Sequence, residues 1–301
     1  MFGNALTNGA HLCQPIEKDI LRLAAASRHW KREPTDTWGE AMKACVAVVL
    51  FLCASACLGQ QPGEGRARSP AAYPEPEAEA AWRGLAASYV RKALKDQTLD
   101  RDPGLNARID AVMAAVGAAV ATIDSRFAKS EWKAILIADF GRGAAAFPGQ
   151  TIIVDAKFAR ALRLNDDELA LILSHEAAHV LAGHALAKLS FMAEYLGKEK
   201  IPTAQTALLE FLARDSYAAA FQPTERLQER EADALGAAIL SASGYDAQRA
   251  LGLFDKLAAL ESPGHGQAAD SHDSAIARKQ AVSGVIAALR QPGARRSLDL
   301  R

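Results

Sequence analysis

Residues 165–188, NDDELALILSHEAAHVLAGHALAK, leave the chain the fewest choices. Asn165 is a good helix N-cap, and Glu168 stands three residues later, the spacing of a capping box. Three acidic residues in the first turn suit the positive end of a helix dipole. Alanine and leucine dominate from Glu168 to about Lys188, and no proline interrupts them. The stretch therefore predicts one long, largely buried helix. Two histidines and a glutamate sit inside it, where polar groups are costly unless paired, hydrogen-bonded or bound to metal.

His175 and His179 are four apart, so a helix puts both on one face, with Glu176 beside the first. H-E-x-x-H at that spacing offers two neutral imidazoles to one metal ion and a carboxylate next to its open position. Zinc held there brings water towards ionisation at neutral pH, and the glutamate takes the proton as water attacks a carbonyl. The motif lacks a third protein ligand. His184 is near in sequence, but at about 100° per residue an unbroken helix turns it roughly 140° from His179. It reads as a capping residue or one that supports a ligand from behind.

A better candidate is RLQEREADALG, residues 226–236, within a helical pattern that runs to about Ser243 and is closed by Gly244. Glu229 and Asp233 share a face, while Glu231 points about 200° away from Glu229, so only one of the two glutamates can reach the metal. An aspartate one turn beyond a ligand can fix the tautomer of a ligating histidine.

HEAAH followed by EREAD and Gly236 resembles the zinc metallopeptidases of the HtpX and CAAX-prenyl-protease type. Within them it is similar to the soluble periplasmic branch typified by BepA and the lipoprotein LoiP. The 50 residues from His179 to Glu229 set it apart from thermolysin-like enzymes, whose gap is much shorter. The resemblance implies one Zn2+ per chain on His175, His179 and Glu229, with Glu176 as base and Asp233 behind a ligand. It implies a Pro148-Gly149 turn and a following edge strand, which would bind an extended substrate through Pro148, Gly149, Thr151 and Ile153. It also implies that His272 polarises the substrate carbonyl or caps the zinc at rest, and that Arg278 anchors or assists it. Gly143-Ala144-Ala145, Gln150 and Asp273 depart from the family's usual Asn-Ala-Phe, glycine and proline.

The fold expected is mostly helical α+β, a zincin-like domain over residues 81–290 with a small sheet whose edge strand flanks the H-E-x-x-H helix. A helical pair at about 76–97 and 104–127 leads into strands at 135–137 and 151–154. A further helix spans about 248–260, and residues 291–301 form a tail.

Composition bears on what surrounds this domain. The chain has 35 basic and 35 acidic side chains and no basic run, so nothing points to a nucleic-acid partner. Cys13, Cys45, Cys53 and Cys57 all lie in the first fifth of the 301 residues, so no disulfide framework extends beyond them. Met42–Leu58, MKACVAVVLFLCASACL, has the basic start, short apolar core and small-residue end of a secretory signal. Residues 1–41 read as an over-extended start and 42–57 as the signal. Ala54-Ser55-Ala56-Cys57 suits lipidation of Cys57; plain secretion and an uncut anchor are the alternatives. Residues 58–80 read as a flexible tether, and no later run suggests a membrane span.

The expectation is a zinc metalloendopeptidase on the periplasmic side of the bacterial envelope, as an outer-membrane lipoprotein. Its partners would be unfolded or misassembled proteins and the outer-membrane assembly machinery. The alternative is a latent, non-proteolytic assembly factor that binds client proteins around a closed zinc site. An aminopeptidase fits less well, because no G-A-M-E-N-like segment is present to bind a free amino terminus.

Overall fold

The computed structural model describes residues 71–261 and 273–291. The expected signal segment, the over-extended start and His272 lie outside these residues, as does all but the first residue of the expected tail.

The described chain opens with two long helices, α1 (Glu75–Lys95) and α2 (Pro103–Ile123). Pro103 sits in the first turn of α2, where its missing N–H costs nothing, and Asp102 caps that turn by accepting from Gly104 N and Leu105 N. Residues 71–80, expected in the tether, instead belong to the folded unit. Tyr73 is buried, its hydroxyl donates to Ile201 O at 2.6 Å, and a Glu77 carboxylate oxygen accepts from Ala204 N.

A three-stranded sheet follows: β1 (Lys133–Ile137), β2 (Ala144–Phe147) and β3 (Thr151–Asp155). β3 lies in the middle, parallel to β1 and antiparallel to β2, with Ile153 opposite Ile135 on one side and Ala145 on the other. This corrects the expected edge strand. Thr151 and Ile153 lie on a strand paired on both sides, so its backbone has no free ladder for a substrate. The physical reason is legible in Ile152-Ile153-Val154, a continuous apolar run buried on both faces, as inner strands are. β1 and β2 are the edge strands, and β2, whose alanines are small, is the one that borders the site.

After the short α3 (Ala156–Ala161) comes α4 (Asp166–Ala182). Its capping box is complete: Glu168 N donates to Asn165 Oδ1 at 2.9 Å and Asn165 N donates to Glu168 Oε2 at 2.8 Å. The long helix expected to continue to about Lys188 stops at Gly183, whose φ of 71° is left-handed. α5 (His184–Leu196) restarts there at a 47° bend. α6 (Ala204–Ala213) and the 28-residue α7 (Asp215–Ala242) follow. Two short helices, α8 (Ala247–Ala250) and α9 (Gly252–Ala258), divide the single helix expected there, and α10 (Ala275–Leu289) ends the described chain.

The sheet separates two apolar clusters. Ile152 and Val154 face one with α2, α4, the second half of α7 and α8–α10; Ile153 faces the other with α1, α5 and α6. This is the two-residue period of a strand buried on both sides. By length and composition α2 could cross a membrane, as could α4 and α5 taken together, contrary to the expectation of no such run. Yet Ile109, Val112, Val116 and Val120 of α2 are buried in the first cluster.

α4 and α7 cross closely. A Cβ added at Gly236 would lie 3.0 Å from both the backbone nitrogen and Cα of His175. The absence of a side chain there lets the two helices meet backbone to backbone.

Candidate active site

That crossing brings together residues far apart in sequence. His175 and His179 project from α4, and Glu229 and Asp233 from α7. His175 Nε2 and His179 Nε2 are 3.0 Å apart, and the Glu229 carboxylate oxygens lie 3.2 Å from His175 Nε2 and 3.4 Å from His179 Nε2. One ligand atom from each of the three residues falls within 4.8 Å of the others.

The donor set fits a metal ion. Bonds of about 2.0–2.1 Å in tetrahedral geometry would hold ligand atoms about 3.3 Å apart. The far nitrogen of each ring already has a partner. His175 Nδ1 donates to Asp233 Oδ1 at 3.0 Å, and His179 Nδ1 lies 2.9 Å from His184 Nδ1. Both Nε2 atoms are thereby turned towards one centre, where two lone pairs facing each other need a cation between them. Burial alone would push His175 down, but its hydrogen bonds with Asp233 and Glu229 more than reverse this, and its pKa is pushed up to about 10.

Arg278, expected to anchor or assist His272, grips Asp233. Its Nε donates to Oδ2 at 2.8 Å and an NH2 group donates to Oδ1 at 2.7 Å. Its guanidinium also lies over the Phe254 ring. Burial raises the Asp233 carboxyl, but Arg278 and His175 outweigh it and hold the pKa at about 2. Arg278, Asp233 and His175 thus form one chain of charge-assisted contacts ending at the metal position.

Glu176 is half-buried and faces the same cavity as His175 and His179. This cavity, of about 2460 Å3, also reaches Ala144–Phe147 of the open edge strand, Pro148, and aromatic side chains including Trp82, Phe191 and Phe211. Of the four residues expected to bind substrate, only Pro148 lines it. Gly149 adopts a φ of 89° and packs against Arg83, so its role is in the turn; Ile153 is fully buried.

Two further residues shape the site. His184, expected to cap a helix or to support a ligand from behind, stands behind His179: the helix break at Gly183 brings its ring against the far side of His179, 3.3 Å from Glu231 Oε2. Burial, the largest influence, lowers its pKa. Asp155 is the other. Its carboxylate accepts from Phe140 N, Gly141 N and Phe158 N, fixing the loop between β1 and β2 against the start of α3. An aspartate closing an apolar strand just before a helix is the signal that could have found it.

No curated protein matches the chain. A family model does: the one described as Peptidase family M48 matches residues 105–286, spanning α2 to α10 and with them every residue of the metal-holding group. That match takes in more than half of the 301 residues, and the chain belongs to peptidase family M48, a family of metallopeptidases.

Proposed function

We propose that the chain is a zinc endopeptidase that cuts unfolded or misassembled polypeptides in the bacterial envelope. One observation carries the reading: an open strand edge, a general-base candidate and a three-ligand metal group share one large cavity. Main-chain pairing with β2 requires an extended partner, and only unfolded or loop segments offer one. The cavity's aromatic walls suit the apolar side chains that such segments expose.

His175, His179 and Glu229 would hold the zinc, which when bound supplies Lewis acidity and brings water towards ionisation at neutral pH. Glu176 takes a proton from the attacking water and returns it to the leaving nitrogen. Asp233, held by Arg278, keeps the His175 ring in the orientation that ligation requires. The backbone groups of Ala144–Phe147 keep the substrate chain extended across the site.

The envelope setting rests on residues 42–57, with Cys57 as the acylated residue and the outer membrane as destination. It also rests on likeness to the soluble periplasmic lipoprotein branch of the family. Cys57→Ser moving the protein from the membrane to the soluble fraction is the expected result.

The decisive measurement is zinc content together with cleavage of an unfolded protein, wild type against Glu176→Gln. The variant should keep its zinc and lose at least about a hundredfold in rate. Equal rates would sink the proposal, and stepwise trimming from one end would replace endopeptidase with exopeptidase.

A further inference from the structure

His179 differs from His175 in what stands behind it. Behind His175 is a carboxylate, Asp233; behind His179 is a third imidazole. We propose that His184 and Glu231 are positioning residues that hold His179 in the tautomer and ring plane needed to ligate the metal; this rests on the zinc-site reading above.

The assignment follows from counting protons. A neutral His179 that gives its Nε2 lone pair to a cation carries its proton on Nδ1. That N–H needs an acceptor, and His184 Nδ1 lies 2.9 Å away. To accept there, His184 must carry its own proton on Nε2, and Glu231 Oε2 stands 3.3 Å from that atom. A carboxylate accepts only, so it selects the His184 tautomer that in turn selects the His179 tautomer. The direction is thus set from Glu231 through two rings to the metal position.

The geometry depends on the break between α4 and α5. Had α4 run on unbroken, His184 would point away from His179 by roughly 140°. The left-handed residue Gly183 ends α4 and starts α5, bringing His184 back against the ring. His184 is 5% exposed, so water does not readily take its place. Glu231 lies on α7 two residues from Glu229, with which it cannot share a helix face. One helix therefore supplies the metal group with a ligand from one side and supports a histidine of α4 from another.

The measurement is zinc affinity by competition with a chromophoric chelator, read beside the absorption spectrum of the cobalt-loaded protein and the thermal unfolding of the metal-free protein. His184→Leu should weaken zinc about 10- to 100-fold, the usual effect of losing a partner behind a ligand, and should alter the cobalt spectrum. His184→Asn, which keeps an acceptor oxygen near the Nδ1 position, should restore most of the affinity. Glu231→Ala changes a partly exposed side chain and tests the far end even where His184→Leu fails to fold; about a tenfold loss is expected. Wild-type affinity in His184→Leu or in Glu231→Ala would overturn the relay alone. So would equal losses in His184→Leu and His184→Asn that follow the unfolding of the metal-free protein. A wild-type protein that takes up no zinc would overturn the metal reading and the relay with it.

Discussion

Asp233 shows how much one carboxylate can hold. It takes a forked guanidinium from Arg278 on one side and the His175 ring on the other. Asp233→Asn keeps the shape but removes the charge, and zinc affinity should fall about 10- to 100-fold in chelator competition. The carboxyl titrates at about 2 in the fold against 3.8 ordinarily. A depressed value means the folded state is favoured by the ionised form. That contribution is complete above about pH 4 and is lost as pH falls towards 2, so denaturant midpoints should drop over this window in the wild type and less in Asp233→Asn. His175 has the opposite sign. With its pKa pushed up to about 10, the metal-free ring is protonated at pH 7 to 8. Zinc uptake should then release a proton, seen as a binding heat that changes with the ionisation enthalpy of the buffer, and affinity should fall about tenfold per pH unit lost.

Between elements, the crossing of α4 with α7 governs the site. A methyl group at Gly236 meets backbone rather than a yielding side chain. Gly236→Ala should therefore cost about 1–3 kcal/mol in stability and weaken zinc as well, by prising Glu229 and Asp233 away from His175. Gly284→Ala on α10 is the contrasting case: nothing lies within 4 Å, the residue is exposed, and removing a helical glycine should stabilise by about 0.5–1 kcal/mol in chemical denaturation. The same distinction explains which features the sequence revealed. The capping box of α4, the shared face of His175 and His179, and the pairing of Glu229 with Asp233 follow from local helical period, and the structure has them. Strand order does not follow from local period. It is set by partners distant in the chain, so the sequence alone does not show that Thr151 and Ile153 lie on the inner strand, although the unbroken apolar run points that way. A glycine within a helical pattern is often tolerated; only the backbone angle of Gly183 shows that the helix ends, and with it where His184 goes.

At the scale of the molecule, the metal ligands link two helices whose residues are 50 positions apart in the chain, each rooted in the larger apolar cluster. An ion bound only by the folded state adds to its stability by mass action, about 4 kcal/mol when free zinc exceeds the dissociation constant a thousandfold. For a domain of this size that is a rise of roughly 8–16 °C in melting temperature, and a chelator should remove it. The second cluster, with α1, α5 and α6, shares the sheet but none of the metal ligands, so its hydrogen-exchange protection should respond less to zinc. The bare backbone of Gly236 against His175 has one more consequence. Side-chain contacts can slide to admit a larger guest, but a joint closed main chain to main chain has little play. The gap between the two helices is in effect a fixed gauge of ionic radius. Zinc at about 2.0–2.1 Å from its ligands passes that gauge, whereas calcium, whose bonds run about 2.3–2.6 Å, would have to force the joint apart.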